Sequence, residues 1–131
     1  MNKLPITSQI TFLYFEDMPA ARHFFADTLG LEAVHDTSWS CIWCTGPGAF
    51  VGAVDAMQGS IAVAVRGGVL VSFNVSDLDL CHARLSEAGL PDLTPIKQVK
   101  DIPLRSFFFT GPEGYRFEIQ QFTNPAVAAL F

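Results

Sequence analysis

Two stretches of this chain can be laid over each other, and that repeat constrains the fold more than any other feature. FEDM, starting at Phe15, matches VSDL, starting at Val75; LGL at Leu29 matches AGL at Ala88. TGPGAFVGAV, from Thr45, matches TGPEGYRFEI, from Thr110, once one residue is inserted in the turn. Each half reads as strand, helix and three further strands. One four-stranded sheet with one helix cannot cover both its faces, so two such units are expected in one chain.

The elements follow from local signals. QITFLYFE, Gln9 to Glu16, is rich in β-branched and aromatic residues, as strands are. Asp17 is a good helix N-cap, Pro19 suits the first turn, and Gly30 stands where a glycine cap ends the helix. Strands are expected over Leu31–His35, Ser38–Thr45 and Ala49–Met57. In the second half they are expected over Val69–Val75, Ile96–Lys100, Leu104–Thr110 and Tyr115–Phe122, with a helix from Asp77 to Ala88 ended by Gly89. This gives module one over about 9–57, a linker over 58–68 with a short strand at Ile61–Val65, module two over 69–122, and a tail over 123–131.

Composition narrows the class. Only 16% of residues are charged and half are hydrophobic, which excludes a disordered chain. The net charge of −5 and the lack of a Lys/Arg run argue against nucleic acid. No apolar run reaches the ~18 residues of a membrane helix. The N-terminus lacks a secretory apolar segment. Three cysteines, Cys41, Cys44 and Cys81, suit a reducing compartment. A cytoplasmic protein is expected. Cys41 and Cys44, three apart on a predicted strand, should point to opposite faces and act as structural thiols rather than a redox pair. The tail, TNPAVAALF, ends in apolar residues including Leu130 and Phe131, which suggests a homodimer.

The repeat, with FEDMPAARHFFADTLGL in the first half and GPEGYRFEIQQF in the second, resembles the vicinal oxygen chelate superfamily over Gln9 to Phe122. That superfamily includes glyoxalase I, the bleomycin-resistance proteins and the extradiol dioxygenases. The resemblance implies an α+β fold of two tandem βαβββ modules, a cupped mixed sheet with helices on the outer faces. In metal-using members each module supplies a ligand from its first strand, usually His, and one from its last strand, usually Glu. Carried onto this chain, those positions are Ile10 and Gly52 in module one and Leu70 and Glu118 in module two. Three of the four lack a metal donor, and one carboxylate alone does not hold a divalent ion. His23 and His82 fall on predicted helices and His35 near a short strand, outside the implied ligand set.

Strand parity groups Phe12 and Tyr14 with Ile10, Ser72 and Asn74 with Leu70, and Arg116 and Gln120 with Glu118. Trp39 and Trp43 share a face of another strand and are candidate stacking walls. These residues, with Arg105, form the expected ligand-binding set. They suit a small aromatic or cationic organic molecule bound without metal or other cofactor, as in the drug-binding bleomycin-resistance group. The alternative is a lyase, isomerase or dioxygenase, with a divalent metal in a rearranged site or with Glu118 as general base. Arg105, Arg116 or Tyr14 would then stabilise the developing oxyanion.

Overall fold

The computed structural model describes residues 3–131. The chain divides into two compact units, meeting in sequence at Ala64 and Val65. Each unit holds one four-stranded mixed sheet.

In the first unit, β1 (Gln9–Phe15) leads into α1 (Met18–His23), then β2 (Glu32–Asp36), β3 (Ser40–Gly46) and β4 (Ala49–Asp55). The sheet order is β1-β4-β3-β2, with β1 and β4 parallel and the other pairs antiparallel. Asp17 caps α1 by accepting the Ala20 N–H at 3.0 Å. The expected single helix is instead an α-helix continued by one π-turn, Phe24–Thr28, closed by the Leu29 N–H on the Phe24 carbonyl. The wider turn lets two adjacent aromatics, Phe24 and Phe25, both face inward. Phe25 stacks on Trp43 at 4.8 Å and meets Phe15 edge-on at 6.0 Å. These rings, with Leu13, Cys41, Val51 and Ala53, form the layer between helix and sheet.

The second unit repeats the plan. β5 (Leu70–Asn74), α2 (Leu78–Glu87), β6 (Lys97–Gln98), β7 (Leu104–Thr110) and β8 (Arg116–Phe122) give the order β5-β8-β7-β6, with β5 and β8 parallel. Asp77 caps α2 through the Leu80 N–H. The buried layer under α2 is aromatic: Phe107, Phe109 and Phe117, with His82 of the helix edge-on to Phe107 at 4.8 Å. The one-residue insertion in the second turn puts Glu113 at φ +61, a left-handed conformation that non-glycine residues seldom adopt. Its carboxylate pairs with Arg66 at 2.9 Å, which anchors that turn.

One expectation about the linker is corrected. Residues 61–65 form no strand: no neighbouring strand pairs with them, and Ile61 and Val65 are exposed. The tail carries a short helix, α3 (Pro125–Ala128), capped by Asn124, and Phe131 stacks on Phe122 at 5.1 Å. No helix among the described residues is long and apolar enough to cross a membrane.

Candidate functional site

The face of each sheet away from its helix is the candidate site. Register confirms the equivalence of the two sheets residue by residue. Phe12 pairs with Gly52 across β1 and β4, and Ser72 pairs with Glu118 across β5 and β8. Gly52 and Glu118 therefore occupy the same place in the repeat.

The two places have opposite chemistry. Glu118 is 8% exposed, and its Oε1 accepts the Ser72 hydroxyl at 2.8 Å. Phe108 lies across from it on β7. Ser72 and Leu70 beside it are exposed, and Gln120 donates to Asn74 at 2.8 Å. A carboxylate thus stands in a surface of mixed polar and apolar groups, held by a neutral hydroxyl. At Gly52 the Phe12 ring takes the corresponding space. A Cβ there would lie 2.6 Å from Phe12 Cδ1.

Tyr14 shares the face with Phe12 but is covered by its own unit. Its ring packs on Gly59, where a Cβ would come within 2.2 Å, and its hydroxyl accepts the Ser60 N–H at 3.0 Å. Arg116 shares the face with Glu118, yet its Nη1 donates to Asp92 and Thr110, each at 3.0 Å. The hydrogen bond from the Thr110 hydroxyl, assisted by the charge of Arg116, holds the Asp92 carboxyl below its ordinary range.

Three residues of the sequence-derived set fall elsewhere. Trp43 is 1% exposed and stacked on Phe25, so it belongs to the layer under α1 and is not a ligand wall. Trp39 precedes β3 rather than lying on it, and its carbonyl receives the Asp55 N–H. Arg105 lies on the helix side of β7, paired with Asp79 of α2 at 3.2 Å, and cannot serve Glu118.

Sequence reasoning passed over His35. The register shift between Ala33 and His35 brings it opposite Ile42, itself opposite Gly52, so His35, Ile42, Gly52 and Phe12 form one row. A β-bulge breaks the alternation on which parity depends, so no period in the sequence marks this residue. The other histidines are engaged away from this face: His23 with Asp27, and His82 with the Thr94 carbonyl and the Phe107 ring on the helix side.

A divalent metal does not fit the four positions that the resemblance implies for ligands, since Ile10, Gly52 and Leu70 supply no donor side chain. Among the described residues no three His, Cys, Asp or Glu side chains converge elsewhere. The CIWC thiols do not meet either. Cys41 is buried on the helix side, where desolvation pushes its thiol pKa up, while Cys44 donates to the Gly46 carbonyl at 3.4 Å.

Fold comparison finds solved structures of similar architecture. A lactoylglutathione lyase from Agrobacterium tumefaciens superposes with a TM-score of 0.74 at 22% identity, over 90% of this chain and 95% of the other. A glyoxalase/bleomycin resistance protein/dioxygenase from Nocardioides gives 0.76 at 20% identity, over 95% and 88%. The genomically encoded fosfomycin resistance protein FosX of Listeria monocytogenes gives 0.67 at 15% identity, over 92% and 93%. At these identities the likeness establishes the fold alone. No curated protein matches the chain in sequence. The sequence model of one family matches residues 7–119, nearly the whole repeat, and the chain belongs to that family, the Glyoxalase/Bleomycin resistance protein/Dioxygenase superfamily.

Proposed function

We propose that this protein binds a small aromatic or cationic organic molecule without a metal, on the face of the second sheet away from α2. The observation that carries this reading is Glu118. It is a carboxylate on a mixed apolar face, hydrogen-bonded to a hydroxyl, with Arg116 of the same strand engaged by Asp92. A cationic head would complete its pairing while the body of the ligand covers Leu70 and Phe108. The superfamily's breadth, from a lyase to a fosfomycin resistance protein among the solved relatives, agrees with a small-molecule role.

The test is calorimetric titration with benzylamine as an aromatic cation. Glu118→Gln keeps the shape and removes the charge, and is expected to weaken binding roughly tenfold to a hundredfold, the scale of a lost charge-assisted hydrogen bond of about 1–3 kcal/mol. Prior treatment with a chelator is expected to change nothing. Equal binding by wild type and Glu118→Gln overturns the role of Glu118, and loss of binding after chelation overturns metal independence.

The assembly that fits this reading is a homodimer in a reducing compartment such as the cytoplasm. Leu130 and Phe131 are each 75% exposed at the end of the tail, and Cys41, Cys44 and Cys81 are free thiols. Light scattering at micromolar concentration is expected to give twice the 14.3 kDa of the chain. A mass of one chain overturns the dimer.

A further inference from the structure

Arg116 and Glu118 stand two residues apart on β8, so both side chains rise from the same face with Cα atoms about 7 Å apart. Arg116 is fixed in place. Its Nη1 is held by Asp92 and Thr110, and its guanidinium lies over the Phe108 ring at 5.6 Å. Its Nη2 and Nε have no partner among the described residues, and the side chain is 39% exposed. It borders an open depression of about 510 Å³, lined also by Gly68, Val69, Leu70 and Phe108. An arginine steadied on one nitrogen and one ring at the edge of a depression is pre-organised to take a carboxylate-like group. Asp92 offsets part of its charge, so recognition there rests on the two remaining donors rather than on net potential.

We infer that the ligand is amphoteric. Its cationic end meets Glu118, its carboxylate-like end meets the free donors of Arg116, and a short apolar or aromatic body spans them over Leu70 and Phe108. This rests on the Glu118 reading above and specifies the ligand class for the same face. It excludes ligands that carry only a cation as full occupants.

Three probes test it by calorimetry: 4-(aminomethyl)benzoate, with opposite charges at the two ends of one ring; benzylamine, with the cation alone; and benzoate, with the anion alone. The zwitterion is expected to bind at least roughly tenfold tighter than either single-charge probe, the scale of one added charge-assisted contact. Arg116→Gln is expected to remove that advantage, so that the zwitterion then binds no tighter than benzylamine. Arg116→Lys, which keeps the charge but not the fork, is expected to fall between. The comparison of the three probes on the unmodified protein stands even if the variants fold poorly. Benzylamine binding as tightly as the zwitterion overturns the amphoteric ligand while leaving the Glu118 reading intact. No binding of benzylamine or of the zwitterion at millimolar concentration overturns both.

Discussion

Trp43→Ala is expected to destabilise the first unit by about 3–5 kcal/mol, the usual cost of truncating a fully buried large aromatic. Trp43 is 1% exposed and lies nearly parallel to Phe25, with an interplanar angle of 28°. Phe25 in turn contacts Phe15 and Phe24, so the cavity would open at the centre of a ring cluster that joins helix to sheet. Such a cluster relaxes poorly into a void, because its rings are held by several neighbours at once. The indole also carries a cost of its own: its Nε1 is buried with no hydrogen-bond partner among the described residues. Trp43→Phe keeps a stacking ring and removes that orphan donor, so its loss is expected to stay well below that of alanine. Denaturant unfolding of the two variants, read by far-UV circular dichroism, checks the order. A Trp43→Ala protein within about 1 kcal/mol of wild type would show that the ring lines an accessible surface instead of the core.

Much of this architecture was legible because helix boundaries and turns depend on single residues. Asp17 and Asp77 cap where expected, and Gly30 and Gly89 end their helices, each at φ +68. The repeat aligned Gly52 with Glu118, and the sheet registers set them opposite the equivalent residues Phe12 and Ser72, as that alignment requires. What failed was the choice of face on β3 and β7. SWSCIWCT and LRSFFFT carry apolar side chains at both odd and even positions, so alternation does not say which side meets the helix. Trp43 and Arg105 were lost to that ambiguity. Arg105 is kept on the helix side by Asp79, a partner 26 residues earlier that no local pattern announces. Glu118 could be placed because β8 alternates: Arg116, Glu118 and Gln120 against Phe117 and Ile119.

Gly52→Ala is expected to cost about 1–3 kcal/mol, although it adds only one methyl group to a strand where alanine is otherwise acceptable. The new Cβ would stand 2.6 and 2.7 Å from two atoms of the Phe12 ring and 3.3 Å from the Cys41 carbonyl oxygen. The carbonyl belongs to the sheet backbone and yields little. The ring is 45% exposed and can swing away, but only by giving up its seat on the sheet. The penalty should therefore depend on Phe12. Phe12→Ala alone removes a half-exposed ring at modest cost. In the Phe12→Ala background, Gly52→Ala is expected to be nearly neutral, leaving a coupling of at least about 1 kcal/mol between the two sites. Additive losses would show that the backbone around Cys41, not the ring, limits position 52. Strong coupling would mean that this sheet has exchanged a side chain on its last strand for an aromatic ring on its first. That exchange gives the first unit an apolar floor in the place where the second keeps a carboxylate, and it accounts for two sheets of one design presenting different chemistry.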